Sequence, residues 1–273
     1  MTDKVLLLID GLNIVRRVYE AIQEDDSPQK AEGALQSSRG SIQRALNNHK
    51  PTHFLAVFDA GGHTFRHDIY PQYKAGRKPM PDALRNALPG FLDSLNAEGL
   101  KATQVPGVEA DDVIATLAIR AVSRGFTVIV LSTDKDLCAL AEYGVLIIDH
   151  FKEILRDEAW IQDKHGVPSN KLRDYLALMG DASDNVPGIK GVGQKTAAQW
   201  IHQYGSLEGV LAAAKDIKGK LGDNLRSSID VARLSQQLIQ LKTDVDIQIT
   251  PKELALHQNA PREQAPQPRR PRP

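Results

Sequence analysis

Val5-Leu6-Leu7-Leu8-Ile9, closed by Asp10-Gly11-Leu12-Asn13, places five apolar residues in a row with nothing polar between them. A strand with one wet face would alternate. An uninterrupted run of this length suits a strand buried on both faces, as in a parallel sheet covered by helices. An acid followed by glycine at the end of such a strand lies where open α/β sheets bind ligands, although Asp-Gly is also ordinary turn chemistry. Leu12 stands where an aspartyl phosphatase would want its second acid.

The same arrangement recurs along the chain. Phe54-Leu55-Ala56-Val57-Phe58 runs into Asp59-Ala60-Gly61-Gly62, and Thr127-Val128-Ile129-Val130-Leu131 runs into Ser132-Thr133-Asp134-Lys135-Asp136. Taken alone, the last string would serve equally well as a helix cap. Lys101 to Gln104 and Val145-Leu146-Ile147-Ile148 read as further strands, with helices over residues 34–49 and 82–97. This alternation predicts an α/β fold with a mainly parallel central sheet flanked by helices.

A second feature is the cluster Val108-Glu109-Ala110-Asp111-Asp112, which opens the apolar helical pattern Val113, Ile114, Leu117, Ala118. Acids suit the first turn of a helix, where the dipole is positive. Three carboxylates within four residues also repel one another, which makes the cluster a candidate cation site.

Composition narrows the classes. The chain has 273 residues, 41% of them hydrophobic, enough to bury a sizeable core as one large or two small domains. Apolar runs are too short to span a bilayer, and Met1-Thr2-Asp3-Lys4 leads directly into a strand, so a cytoplasmic location without membrane association is expected. The single cysteine, Cys138, excludes an intramolecular disulfide and a cysteine-based zinc site. Lys+Arg 34 balances Asp+Glu 34, so a nucleic-acid partner must be argued from the distribution of charge.

That distribution is uneven. His63 to Pro81 interleaves aromatics, including Tyr73, with Arg66, Lys74, Arg77 and Lys78, the ingredients of a single-strand platform. Pro71, Gly76, Pro79 and Pro81 argue for a mobile crossing loop or arch, 63–85, rather than one helix. From about residue 157 the pattern is helical. Gly180-Asp181-Ala182-Ser183-Asp184 brings two acids three apart, and Gly188-Ile189-Lys190-Gly191-Val192-Gly193-Gln194-Lys195-Thr196 supplies a glycine-rich turn before a helix near Gln194. Backbone N–H groups, the helix start, Lys190 and Lys195 together suit a phosphate, but the spacing is not that of a nucleotide P-loop. Further helices are expected over 206–242, with Leu234, Leu238 and Leu241 as core. Beyond about 257, five prolines and four arginines form a basic tail expected to be disordered.

Seven of these strings in order resemble the bacterial 5′-nuclease family: Asp10-Gly11; Val57-Phe58-Asp59; Phe65-Arg66-His67 with Tyr73-Lys74 and Arg77; Glu109 to Asp112; Ser132 to Asp136; Gly180 to Asn185; and Pro187 to Ala197. That family includes the 5′-nuclease domain of DNA polymerase I, phage 5′-exonucleases and stand-alone flap endonucleases. The resemblance covers residues 5 to about 245. It implies a PIN-like core over 1–156, a helical region over 157–256 with a helix–hairpin–helix at about 170–204, and action as a monomer on DNA carrying a 5′ flap, overhang or nick. It further implies an inner metal cluster of Asp10, Asp59, Glu109 and Asp111 with Asp112 beside it, and an outer one of Asp134, Asp136, Asp181 and Asp184. By the same resemblance Lys74 and Arg77 contact the scissile strand. Gly188, Lys190, Gly191, Gly193, Lys195 and Thr196 belong to the duplex-gripping hairpin, which in the family often holds a monovalent cation such as K+. One departure stands out: Thr133 occupies the position of a family glycine.

Hydrolysing a phosphodiester needs an activated water, in-line attack and neutralised phosphate charge. Two Mg2+ or Mn2+ ions about 4 Å apart supply all three and prefer carboxylate oxygens. The expected function is therefore metal-assisted, 5′-directed DNA hydrolysis, with Asp111, Lys74 and Arg77 central and Arg66 and Tyr73 on the DNA. A branched-DNA-binding module that cuts poorly and a metal-dependent RNase are the competing readings.

Overall fold

The computed structural model describes residues 4–256, and in it the apolar runs form one six-stranded sheet. Its strands are β1 (Val5–Asp10), β2 (His53–Phe58), β3 (Ala102–Gln104), β4 (Thr127–Leu131), β5 (Leu146–Asp149) and β6 (Ile154–Leu155), in the order β3-β2-β1-β4-β5-β6. All neighbours are parallel except β5 and β6. The chain builds outward from β1 to β2 and β3, then crosses back to β4. Strand order thus reverses between β1 and β4, and a crevice at the carboxyl ends of the strands belongs at such a reversal.

The unbroken apolar run of β1 is explained by its two covered faces. Leu6 and Leu8 enter one core, while Leu7 and Ile9 enter the other, following the two-residue period of a strand. The Leu7 face is covered by α1 (Gly11–Ala21), α2 (Pro28–His49) and α4 (Asp82–Ala97), and the Leu6 face by α5 (Ala110–Val122). Between β2 and α4 lies the short α3 (Phe65–Ile69).

A helical region follows β6: α6 (Glu158–His165), α7 (Leu172–Met179), α8 (Gln194–Tyr204), α9 (Leu207–Ala212), α10 (Gly219–Ser227), α11 (Ile229–Ile239) and α12 (Pro251–Leu254). Ile161, Leu172, Tyr175 and Leu176 are buried in the same core as Leu8 and Val130. The division expected after residue 156 therefore crosses continuous packing and not a linker.

Local differences from the sequence reading have local causes. Asp10-Gly11 is not a plain turn: the Asp10 carboxylate caps α1 by accepting from the Asn13 N–H at 3.1 Å. Gly11 is required by proximity, since a Cβ there would lie 2.4 Å from the Phe58 ring. Helix α2 begins six residues before the expected start at 34, because Ser27 caps it and Pro28 opens it. Segment 63–85 contains α3, held by a capping box between Thr64 and His67, and then turns before α4. Among the described residues no helix is long and apolar enough to cross a membrane. The basic tail of residues 257–273 lies outside the described residues.

Candidate active site

The carboxyl ends of β1, β2 and β4 and the first turn of α5 deliver Asp10, Asp59, Asp134 and Asp111 to one edge of the sheet. Each carboxylate is held by its own loop. Asp59 accepts from the Ala110 N–H at 2.8 Å, which ties β2 to α5. Ser132 Oγ donates to Asp10 Oδ2 at 2.9 Å and accepts from the Asp134 N–H at 3.0 Å, bridging adjacent strands. Asp134 Oδ1 accepts from the Asp136 N–H at 2.9 Å.

These acids share one electrostatic environment. Burial, then the neighbouring Asp59 and Asp134 carboxylates, push the Asp10 pKa up to about 7. Burial and the charges of Asp134, Asp10 and Asp59 hold Asp111 well above the usual carboxylate range. Asp136 is raised the same way, by burial and then by Asp134. Acids remote in sequence thus lie close enough to act on one another's charge. An electrostatic cost of this kind is removed by protons or by added cations.

Along the other flank the protein provides its own cations. The turn 71–77 is tethered over the Asp181–Asn185 loop: the Lys74 N–H donates to the Asp184 carbonyl at 2.9 Å, and Asn185 Nδ2 to the Gln72 carbonyl at 2.7 Å. Lys74 and Asn185 both take left-handed backbone conformations, at φ 57° and 56°. Lys74 Nζ reaches Glu109 Oε2 at 2.9 Å, Arg77 reaches Asp184 Oδ1 at 2.8 Å, and Lys135 reaches Asp181 Oδ2 at 2.5 Å. Burial would raise Glu109, but Lys74 and Arg66 outweigh it and hold the carboxyl below its usual range. Asp181 is likewise lowered against burial, by Lys135 and Ser183.

Every donor in the basin is a carboxylate oxygen, and the buried Asp136 Oδ1 has no hydrogen-bond partner, which suits a hard divalent cation. As the side chains stand, no three metal-ligating groups among the described residues are gathered closely enough to grip an ion. Lys74, Arg77 and Lys135 occupy the charge of three of the acids, and ligation by those acids requires these contacts to loosen.

Four sequence assignments are corrected. Asp112 is not in the basin: fully buried, it receives both ends of the Arg66 guanidinium at 2.7 and 2.9 Å and the Lys242 N–H at 2.8 Å. Arg66, 2% exposed, spends its remaining donors on the Leu238 and Gln240 carbonyls, so it pins α11 to α5 and has nothing left for a phosphate. Tyr73 is no stacking platform; its ring is buried and its hydroxyl lies 3.3 Å from both Glu109 Oε2 and Asp184 Oδ2. Gly188 is also internal. Its N–H donates to Ser235 Oγ at 3.1 Å, and a Cβ there would lie 2.3 Å from the Gly180 nitrogen.

The rest of the glycine-rich turn faces outward. Lys190, Gly191, Gly193 and Lys195 are exposed, Thr196 is half-buried, and Gly193 caps α8. Gly191 sits at φ 84°, where a side chain would be strained. Sequence reasoning missed a second turn of the same kind, Ile217-Lys218-Gly219 before α10, with Gly219 at φ 76°. Asn224 of α10 donates to the Lys190 carbonyl at 2.7 Å, so the two turns are packed together, and the repeated Ile-Lys-Gly triplet was the available signal. Asn13, Ser132 and the counter-ion role of Lys135 were also missed, and only contacts between strand ends expose them.

Comparison with known proteins identifies the family. Residues 5–166 match the 5′-3′ exonuclease N-terminal resolvase-like domain, and residues 167–262 the 5′-3′ exonuclease C-terminal SAM fold. The chain is 34% identical to the flap endonuclease Xni of Psychromonas ingrahamii over 91% of its own length and 96% of that protein. It is 36% identical to DNA polymerase I of Bacillus caldotenax, over 92% of this chain and 29% of the polymerase. Among solved structures, the phage T5 D15 protein co-crystallised with metal ions superposes with a TM-score of 0.76 at 21% identity, covering 88% of this chain and 90% of that one. With both characteristic domains matched in order and relatives aligned along almost all of its length, the chain belongs to the 5′-3′ exonuclease family.

Proposed function

We propose that the protein is a structure-specific 5′-nuclease, a 5′-3′ exonuclease and flap endonuclease that hydrolyses DNA next to a 5′ flap, 5′ overhang or nick. The observation that carries this reading is the juxtaposition of Asp10, Asp59, Asp111 and Asp134 with no ion pair to any of them among the described residues, so that each raises another's pKa or is raised by it. The names of its relatives point the same way.

Asp10, Asp59, Glu109 and Asp111 would hold one divalent cation and Asp134, Asp136, Asp181 and Asp184 a second, with Mg2+ or Mn2+ favoured by the all-oxygen donor set. Such cations supply a water made acidic enough to attack and a counter-charge for the phosphate. The chain's own residues do the remaining work. Lys74 and Arg77, released from Glu109 and Asp184, neutralise the phosphate being cut. The buried Tyr73 hydroxyl keeps Glu109 and Asp184 oriented while Lys74 moves. Lys190, Lys195 and the Gly191–Gly193 backbone grip the duplex beyond the junction, with K+ as the candidate ion on the hairpin carbonyls. In this reading the protein acts as a cytoplasmic monomer.

The test compares flapped DNA with the matched RNA, in Mg2+ and in chelator. Cutting of the DNA flap alone, and only with Mg2+, is expected. Equal cutting of RNA, or cutting in chelator, would overturn the assignment.

A further inference from the structure

All the polar groups of Thr133 are engaged. Its N–H donates to Asn13 Oδ1 at 3.1 Å, and its hydroxyl lies 3.0 Å from that oxygen and 2.8 Å from Asn13 Nδ2. Its carbonyl accepts from Arg156 Nη1 at 2.8 Å, and Arg156 is itself anchored on Asp149 Oδ2 at 3.2 Å. Asn13 is the residue whose own N–H holds Asp10 Oδ1. A strap therefore runs from the first turn of α1 to the loop after β4, joining the neighbours of Asp10 and Asp134.

The strap crosses the reversal of strand order, where two parallel strands end side by side and nothing in the sheet ladder continues beyond them. Asp10 and Asp134 both raise Asp111 at this place, and Asp134 is carried by the irregular loop that follows β4. A glycine at 133 would leave the Ser132 bridge between Asp10 and Asp134 as the main restraint. The hydroxyl of Thr133 adds a second restraint, to Asn13.

We infer that Asn13 and Thr133 are positioning residues that preset the separation of Asp10 and Asp134, and so determine the affinity of the basin for divalent cations. Neither side chain touches the reacting phosphate in this account. The inference rests on the metal-dependent reading above. Removing partners that orient carboxylate ligands costs on the order of tenfold in metal affinity. Because the acids themselves remain, saturating metal should restore the cleavage rate.

The experiment is calorimetric titration of the full-length protein with Mn2+, for wild type, Thr133→Val, Thr133→Ser and Asn13→Ala, with thermal unfolding and flap cleavage on the same preparations. Thr133→Val and Asn13→Ala should weaken Mn2+ binding roughly tenfold. Thr133→Ser should bind as wild type, and kcat at saturating Mn2+ should be within about twofold in all variants. Wild-type affinity in a folded Thr133→Val protein, or a cleavage loss that Mn2+ does not repair, would overturn the role of the strap while leaving the nuclease assignment intact. Absence of Mn2+ binding by the wild type would overturn both. Should Asn13→Ala fail to fold, the contrast between Thr133→Val and Thr133→Ser still decides.

Discussion

The two flanks of the acidic basin are built on opposite electrostatic terms. Glu109, Asp181 and Asp184 face Lys74, Lys135 and Arg77, so this side carries its own counter-ions, which outweigh burial at Glu109 and Asp181 but not at Asp184. Among the described residues Asp10, Asp59, Asp111 and Asp134 form no ion pair, though Lys74 acts on Asp59 and Asp111 from farther off; Asp10 and Asp111 in particular are pushed upward by burial and by neighbouring acids. A carboxylate with a resident counter-ion can ionise and stay folded, whereas a group of bare carboxylates is stable only with protons or added cations. The contrast separates a side that waits for metal from a side whose own cations can be lent to the substrate.

The largest effect should come from the bare side. Asp111→Asn retains the shape but removes a ligand, and single-turnover cleavage of a flap at saturating Mg2+ should fall on the order of a thousandfold, with junction binding kept. Full activity would show that the bare acids are not the reaction centre.

Arg66→Ala should act chiefly on the fold, although it also takes from Glu109 a cation at 3.3 Å. The substitution leaves Asp112 as an unpaired buried charge, which costs about 3–5 kcal/mol in unfolding free energy. Denaturant unfolding would read this, and the salt dependence of DNA binding by the folded fraction should be unaltered.

Lys74→Ala sharpens the comparison, because one substitution should have two opposite effects. It removes a competitor from Glu109 and so tightens Mn2+ binding several-fold, while cleavage at saturating metal drops about a hundredfold. Weaker metal binding in this variant would mean that the lysine is a structural pin and not a loan.

The pH dependence distinguishes the flanks without DNA. Asp10 has a folded pKa raised from 3.8 to about 7. Its contribution to stability is complete below about pH 4 and is lost as pH rises through 7, since the folded state then has to expel the proton or carry the charge. Asp111 and Asp136 act in the same direction. Glu109 and Asp181 have the opposite sign, stabilising above their ordinary range and failing on acidification. In chelator, Asp10→Asn should raise the melting temperature at pH 7 by a few degrees and have no such effect at pH 4. The smallest effect belongs to Lys195→Ala on the exposed hairpin, which should lower the slope of log K against log salt by about one without changing cleavage of bound substrate.

Much of the fold was legible in the chain. Apolar runs ending in acids marked β1, β2 and β4, because a strand buried on both faces tolerates no polar residue until it leaves the sheet. The segment around α3 reads as a loop because a cluster of prolines is a turn signal wherever it occurs, and an Asp-Gly pair leaves the start of α1 open between a ligand site and a turn. Whether Asp10 caps a helix depends on residues that follow and on the Phe58 ring. Among the site residues the acids could be found by type and spacing. Arg66, Tyr73 and Asp112 could not be placed this way, since a charged or hydroxylated residue reads the same whether it meets DNA or a buried partner.

What the sequence by itself determined is the inventory: a parallel sheet, acids at its strand ends, a basic segment over 63–85 and a glycine-rich turn, all set by local hydrophobic pattern and turn chemistry. Only the tertiary structure decided which acids are bare and which are paired. That sorting depends on side chains from β1, β4, α5 and the 63–85 segment meeting across sequence separations such as the 122 residues between Asp10 and Ser132 and the 111 between Tyr73 and Asp184. The Coulomb terms that set it act through space and carry no local signature in the chain.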